Sequence, residues 1–118
     1  MAKKYDVITV GSAVRDIFLF LRDEDVLVFK NPAADPARRR LLALEYAAKI
    51  TVKCSTESFG GGAFNTALTF AHWGFKTAVA VSLGCDDTAQ AIIKSMGNQG
   101  LDGSFIAYHS RSVTGFSV

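Results

Sequence analysis

GGGAFNTALTFAHWGFKTAVAVSLG, residues 60–84, is the stretch of sequence that decides the fold. It opens with three consecutive glycines, Gly60 to Gly62, and reaches Asn65 three residues later. Glycine has no Cβ, so such a run can take positive φ and let a ligand approach the backbone closely. Asn65 would then lie at the start of a helix with a side chain that both donates and accepts hydrogen bonds. This arrangement suits a polyhydroxylated ligand.

The elements around this stretch alternate between strands and helices. An apolar, β-branched run over 5–11 ends in glycine and predicts a buried strand. A helix is expected over 63–73 and a second buried strand over 76–83. Asp86 is the expected N-cap of a helix that runs to about Gln99 and stops at Gly100. This order is typical of an open α/β sheet, in which ligands bind at the carboxyl ends of the strands.

The glycine-rich stretch resembles the first signature of the ribokinase-like (PfkB) carbohydrate and nucleoside kinases. That signature is a small residue, Gly, a small residue, any residue, Asn, any residue, a small residue, six residues, Gly, nine residues and Gly. The matching positions are Gly61, Gly62, Ala63, Asn65, Ala67, Gly74 and Gly84. A short glycine motif alone is weak evidence, whereas fixed spacings over this length are specific. The resemblance implies an α/β ribokinase-like fold, with a parallel sheet core and a small β lid.

The same resemblance implies a set of substrate-binding residues. The first predicted strand followed by Asp16 is similar to the family's first strand, whose trailing Asp contacts sugar hydroxyls. A carboxylate suits this role because its two oxygens can each accept from a neighbouring hydroxyl. A local role for Asp16, such as pairing with Arg15 or capping a turn, is the alternative. The implied site consists of Asp16, Gly61, Gly62 and Asn65.

Three further positions bear on the resemblance. Asp86 matches the Asp of the family's Gly-x-Asp motif and is expected to be a structural cap. Thr114 and Gly115 resemble the start of the strand that enters the lid, and we expect them to set backbone geometry. Two departures weaken ribose in particular as the substrate. Val14 stands where ribokinase-type first strands have a sugar-contacting Asn, and Gly62 stands where a Lys is sometimes found.

The lid strands are expected within roughly 16–58 and 113–118. Short apolar runs over 17–21 and 26–29, joined by a charged turn, predict a hairpin. The stretch 36–49 has helical spacing and Pro36 at its first turn, although the resemblance favours an extended segment there. The remaining predicted strands cover 50–54, 104–108 and 113–118.

Charge and cysteine content exclude several classes of function. The formal net charge of +2 is too small to indicate nucleic-acid binding, and the run Arg38–Arg40 is interpreted as a solvated face. Cys54 and Cys85 lack metal-ligand spacing, so we expect reduced core or edge thiols in a cytoplasmic protein and no metal site. No targeting or membrane-spanning segment is visible.

The catalytic half of such a kinase has no counterpart in residues 1–118. In the family, a Gly-Ala-Gly-Asp segment supplies the base and the amides that hold the developing charge, and nothing here resembles it. A Walker loop is missing too, because Lys-Ser/Thr does not follow Gly60 to Gly62. We therefore expect no catalytic residue in this chain, which corresponds to the N-terminal, acceptor-binding part and is inactive alone. ATP and Mg²⁺ are implied as cofactors only by the resemblance.

The expected partner is a small-molecule sugar or nucleoside, together with a second copy of the chain that pairs through the lid strands. One alternative function is a non-catalytic sugar- or nucleoside-binding or regulatory module derived from such a kinase. A second alternative is a dinucleotide-binding domain, but this needs GxGxxG directly after a core strand and an acidic residue at the end of the next strand. Here the next strand ends at Leu83-Gly84.

Overall fold

A computed structural model of the chain describes residues 4–30 and 40–118. These residues form two compact units, one made of the chain up to Ile17 and from Glu57 onward, the other of Phe18–Thr56. The strands are β1 (Val7–Gly11), β2 (Val14–Leu21), β3 (Leu27–Lys30), β4 (Arg40–Ala43), β5 (Val52–Gly60), β6 (Thr77–Gly84), β7 (Ala107–His109) and β8 (Phe116–Ser117). The helices are α1 (Gly62–His72) and α2 (Asp87–Asn98), with a short 3₁₀ helix at Asp23–Asp25.

A parallel sheet with the order β1-β6-β7 forms the centre of the first unit. Val7 is in register with Thr77 and Gly11 with Val81, and Gly84 pairs with His109 at the other side of β6. The α/β class and the parallel sheet expected from the sequence are therefore confirmed, as are the positions of α1, β6 and α2. Because β6 is central, six of its eight residues are buried.

The hydrophobic core lies between this sheet and the two helices. Helix α1 contacts β1 and β6, and α2 contacts β6. The largest fully buried side chains are Phe64, Val79, Leu83, Ile92 and Met96. Ile8 and Val10 of β1 are exposed, Val10 at 80%. Apolar burial in the described residues is thus concentrated on one side of β1.

A second sheet has the order β5-β2-β8, with β8 parallel to β2. Arg15 is in register with Phe116 and Asp16 with Ser117, so β2 and β8 pair although they are far apart in the sequence. Strand β8 is shorter than the predicted 113–118. The strand predicted over 104–108 is wrong in its first half, because the Asp102 carboxylate accepts from the Ser104 N–H and turns the chain there.

The second unit contains β3 and β4, which pair antiparallel. The hairpin predicted between 17–21 and 26–29 is wrong, since β3 pairs with β4 and not with β2. Apolar cross-strand pairs explain this choice, with Val28 opposite Leu42 and Phe29 opposite Leu41.

The helix predicted over 36–49 is likewise wrong in its described part, where the extended alternative holds. Residues 40–43 form β4, and Ala47 has a φ of 60°, which a right-handed helix does not allow. Pro36 at the start of that predicted helix, and Arg38 and Arg39 of the basic run, lie outside the described residues.

Strand β5 is longer than the predicted 50–54 and runs directly into the glycines, so that Gly60 is its last residue. Cys54 and Cys85 are both free and exposed, so neither is a core thiol. Within residues 4–30 and 40–118 no helix has the length and apolar character needed to cross a membrane.

Candidate functional site

Ser12, in the loop between β1 and β2, closes the N-terminus of α1. Its Oγ accepts from the Gly62 N–H at 3.1 Å. Its carbonyl oxygen accepts from the N–H groups of Ala63 at 3.2 Å and Phe64 at 3.3 Å. The first N–H groups of a helix have no partner within the helix. Because Ser12 already binds three of them, this helix N-terminus is not available as an anion cradle.

Gly61 is required by the backbone of the neighbouring loop. Its φ is 104°, and a Cβ at this position would lie 2.5 Å from the carbonyl oxygen of Ser12 and 2.9 Å from the Cα of Ala13. Any side chain would therefore collide with the chain and would also need a conformation that L-residues rarely adopt. The glycine at 61 is explained by packing against Ser12 and Ala13 without a ligand.

Gly62 is in a different situation, since no atom lies within 4 Å of the position that a Cβ would take. Its backbone N–H bonds to Ser12, and it is the first residue of α1. The two glycines predicted to bind substrate therefore differ in their surroundings. Gly61 packs against the protein, whereas Gly62 borders open space.

Asp16 and Asn65 converge at Gly60. A Cβ at Gly60 would lie 2.5 Å from Asp16 Oδ2 and 3.8 Å from Asn65 Nδ2. Asp16 is half-buried on β2, and Asn65 is exposed in the first turn of α1. The end of β5 therefore brings a carboxylate oxygen and an amide N–H close to the same point, where a side chain on residue 60 would require Asp16 to move. Gly60 itself was not among the predicted site residues.

The alternative local pairing of Asp16 is not observed. The guanidinium of Arg15 forms its ion pair with Glu57. The Asp16 Oδ1 atom instead accepts from Ser117 Oγ at 2.6 Å. Sequence reasoning missed Ser117, and 101 residues separate it from Asp16, so no local pattern pointed to the contact.

The chemical capacity of this arrangement follows from its donors and acceptors. Asp16 Oδ2 can accept a hydrogen bond and Asn65 Nδ2 can donate one. A hydroxyl both donates and accepts, so a ligand hydroxyl between these groups can bond to both, and a neighbouring hydroxyl can use the remaining capacity of either side chain. A polyhydroxylated ligand matches this pair of groups.

Asp86 anchors the segment that leads into β8. Its Oδ1 accepts from the Ala89 N–H at 2.8 Å, which is the N-cap bond expected from the sequence. Its Oδ2 accepts from the Thr114 N–H at 2.6 Å, and the buried Thr114 Oγ1 accepts from the Gly84 N–H at 3.0 Å. The Thr114 N–H and then the Ala89 N–H lower the pKa of Asp86 below its ordinary value.

The described residues do not fit a nucleotide or Mg²⁺ site. In residues 4–30 and 40–118, no group of three or more His, Cys, Asp or Glu side chains is placed to hold a metal ion. The N-terminal amides of α1 are bonded to Ser12, and Asp86 caps α2 with a carboxylate. A negatively charged cap repels phosphate. We therefore assign no step that involves ATP or Mg²⁺ to the described side chains.

No protein-family model matches the chain. No curated protein matches it in sequence.

Similarity appears at the level of structure. A ribokinase of Arabidopsis thaliana, complexed with ribose and ATP, has a TM-score of 0.70 at 19% identity and covers 97% of this chain. A ribokinase from Cryptococcus neoformans var. grubii serotype A, in complex with ADP, has a TM-score of 0.67 at 17% identity and covers 93%. A nucleoside kinase of Methanocaldococcus jannaschii, an archaeal member of the ribokinase family, has a TM-score of 0.63 at 19% identity and covers 92%.

These neighbours are ribokinase/PfkB carbohydrate and nucleoside kinases, and they show that the chain has a ribokinase-like fold, as the sequence predicted. The chain spans 31%, 28% and 30% of the length of these three proteins.

Proposed function

We propose that this chain is the acceptor-binding part of an ATP-dependent kinase of the ribokinase (PfkB) family, which phosphorylates a hydroxymethyl group of a sugar or nucleoside. Two independent features support the proposal. The first is the glycine and asparagine spacing between Gly61 and Gly84. The second is the ribokinase-like fold, shared with a nucleoside kinase as well as with ribokinases.

One observation carries the proposal, namely that Asp16 and Asn65 meet beside Gly60. The two residues are far apart in the sequence, and each was expected at the acceptor site for a different reason. In the proposed site, Asp16 Oδ2 accepts from one acceptor hydroxyl while Asn65 donates to the same or a neighbouring hydroxyl. Gly61 keeps α1 close to the loop after β1, and Gly62 leaves space for the ligand.

Two positions in the sequence restrict the choice of acceptor. Ribose is named for the Arabidopsis thaliana neighbour, and a nucleoside kinase is among the others. Val14 offers no hydrogen bond where ribokinase-type strands have Asn, and Gly62 offers no ammonium. We therefore propose a sugar other than free ribose, or a nucleoside, as the acceptor.

The chemistry requires groups that we assign to other parts of the enzyme. A positioned general base contributes roughly 10²–10⁴-fold to the rate. Removing one oxyanion donor costs about 10²–10³-fold. Residues 1–118 contain no segment resembling the family's Gly-Ala-Gly-Asp. We therefore expect the 118-residue chain to bind the acceptor without transferring phosphate to it, with ATP and Mg²⁺ held elsewhere.

Acceptor binding can be tested on the 118-residue chain by NMR titration with D-fructose, D-ribose and adenosine. We expect amide shifts at Asp16 and over 60–65, larger for D-fructose or adenosine than for D-ribose. Asn65→Ala should weaken binding by about 1–3 kcal/mol because it leaves a ligand hydroxyl unpaired. Thr66→Ala is the matched control, since Thr66 is exposed next to Asn65 on the same helix. If no probe shifts these amides, the acceptor site is wrong.

A non-catalytic sugar- or nucleoside-binding or regulatory module is the second candidate. It uses the same pair of groups, Asp16 and Asn65 beside Gly60, which can bind a sugar or nucleoside with or without catalysis. A coupled ADP-release assay with Mg·ATP and the same probes separates the candidates once the longest natural form of the protein is used. Turnover in that form supports the kinase, and binding without turnover supports the module. Turnover by residues 1–118 alone, abolished by Asp16→Ala, would refute the assignment of the base to other residues.

We also propose that two copies of the chain pair through the strands of the second unit. Several large apolar side chains on β3 and β4 are exposed: Leu27, Val28, Phe29, Leu41 and Leu42. Exposed apolar strands of this kind recruit other chains. A cytoplasmic location, in keeping with two free thiols, belongs to the same proposal.

A further inference from the structure

Ser117 contacts the predicted acceptor carboxylate directly. Strands β2 and β8 are parallel, and their register places Ser117 opposite Asp16. The Ser117 hydroxyl donates to Asp16 Oδ1 at 2.6 Å, which is a short hydrogen bond to a carboxylate. Nothing in the sequence motifs assigns a role to this serine.

The strand that carries Ser117 is only two residues long, yet the chain just before it is anchored at two residues. The Arg15 N–H donates to the Gly115 carbonyl at 3.1 Å, which ties the chain before β8 to β2. Thr114, one residue earlier, is 3% exposed and bonds to both Gly84 and Asp86. Ser117 is therefore presented to Asp16 from a segment whose backbone is fixed by a helix cap and a buried hydroxyl.

The two oxygens of Asp16 have different surroundings. Oδ1 is bonded to Ser117, while Oδ2 lies against Gly60, at the position that also neighbours Asn65 Nδ2. A carboxylate on a strand can rotate about χ1 and χ2, and the observed orientation directs Oδ2 to Gly60. We propose that Ser117 is a positioning residue of the acceptor site, whose hydroxyl holds Asp16 in that orientation.

The effect of Ser117 on ligand recognition rests on the proposed function, because it requires that Asp16 bind the acceptor. With Oδ1 bonded to Ser117, Asp16 presents Oδ2 as its ligand-facing oxygen. The sequence suggested that both oxygens of Asp16 accept from ligand hydroxyls; the bond from Ser117 to Oδ1 leaves this role to Oδ2. Two neighbouring hydroxyls of the acceptor would be shared between Asp16 Oδ2 and Asn65, so Ser117 sets which pair of hydroxyls is recognised.

The test compares Ser117→Ala with Ser117→Thr in the 118-residue chain. Three-bond NMR couplings report the χ1 angle of Asp16 without any ligand. We expect a single χ1 rotamer in the original protein and in Ser117→Thr, which keeps the hydroxyl on a residue that strands accept. We expect averaging among rotamers in Ser117→Ala. Ser112→Ala, at an exposed serine of the preceding segment, should leave Asp16 unchanged.

Titration with D-fructose and adenosine gives the second readout. Losing one hydrogen bond of this kind corresponds to about a fivefold weaker affinity in Ser117→Ala, with Ser117→Thr restoring it. A single Asp16 rotamer in Ser117→Ala overturns the positioning role, whether or not a probe binds. Rotamer averaging in Ser117→Ala with no binding by the original protein would uphold the positioning role and count against the proposed function. A lower urea midpoint for Ser117→Ala, with an unchanged Asp16 rotamer, would mark a merely structural serine.

Discussion

Asp86 and Thr114 are joined by a hydrogen bond of 2.6 Å from the Thr114 N–H to Asp86 Oδ2, although 28 residues separate them in the sequence. The other oxygen of the same carboxylate caps α2 through the Ala89 N–H. One side chain therefore performs two tasks that belong to different segments. It satisfies a helix terminus, and it fixes the chain two residues before β8.

We predict that these two tasks can be separated by substitution. Asp86→Ser keeps a side-chain oxygen for the cap but is too short to reach Thr114 as well. Asp86→Ala removes both bonds. The urea midpoint should fall from the original protein to Asp86→Ser and further to Asp86→Ala. Asp87→Ala is the control, because Asp87 is exposed in the same first turn and caps nothing. Equal midpoints for Asp86→Ser and Asp86→Ala, both below that of the original protein, would show that the cap bond contributes nothing. An unchanged midpoint in Asp86→Ser would show the same for the bond to Thr114.

A second prediction contrasts two adjacent glycines. Gly61→Ala places a Cβ 2.5 Å from the Ser12 carbonyl oxygen at a φ of 104°, so it should destabilise the fold by at least about 1–3 kcal/mol. Gly62→Ala enters open space in the first turn of a helix. It should leave stability unchanged or raise it by up to about 1 kcal/mol. Urea unfolding followed by circular dichroism measures both, and similar losses for the two variants would contradict the packing account of Gly61.

The sequence predicted the elements whose signals are local. Asp86 and Gly100 bound α2 as expected, because a cap and a positive-φ glycine act within a few residues of the helix. The apolar run of β6 likewise predicts a buried strand without reference to distant residues, and β6 is mostly buried. The ribokinase-like resemblance then supplied the topology, which local signals do not contain.

Apart from the local turn that Asp102 makes with Ser104, the errors and omissions concern contacts between residues distant in the sequence. Leu41 fits a helical pattern, but it pairs across strands with Phe29, and periodicity alone cannot identify this partner. Ser12 reaches Gly62 across 50 residues, and Ser117 reaches Asp16 across 101. Serine at such positions has no pattern of its own, so the sequence cannot distinguish these hydrogen-bonded hydroxyls from those without a protein partner.

The third prediction concerns pH. Ser104 and Tyr5 donate hydrogen bonds to the Asp102 carboxylate, the latter at 2.6 Å, and they lower the pKa of Asp102 from 3.8 to about 2. A carboxyl whose pKa is lowered by folding stabilises the fold fully above its unfolded value. That contribution is lost as the pH falls through the folded value. Stability should therefore decline from near pH 4 downward to about pH 2.

Asp102→Asn tests this assignment. The variant should be less stable than the original protein at neutral pH, and its free energy of unfolding should depend less on pH in the acidic window. Asp87→Asn, at an exposed carboxylate, is the control. Urea unfolding at a series of pH values gives the free energy of unfolding against pH for each protein. If this free energy falls equally steeply with acid in the original protein and in Asp102→Asn, Asp102 is not the source of the pH dependence.

The last prediction concerns assembly of the chain through the second unit. Among the described residues, β3 and β4 form a two-stranded sheet, so each has an edge without a strand partner in its own chain. Leu42 on β4 is 72% exposed, and unpaired edges with exposed apolar side chains bind other strands. We expect a two-fold dimer in sedimentation at micromolar concentration.

Leu42→Lys should shift that dimer to monomer, because a lysine on an edge strand opposes pairing with another edge. Its own fold should persist, since Leu42 is mostly exposed. Tyr46→Ser is the control, because Tyr46 is 97% exposed in the same unit but lies outside both strands. A compact monomer of the original protein, or a dimer unaffected by Leu42→Lys, would exclude β4 as the interface. In the second case, the exposed side chains of β1, Ile8 and Val10, would be the next apolar surface to substitute.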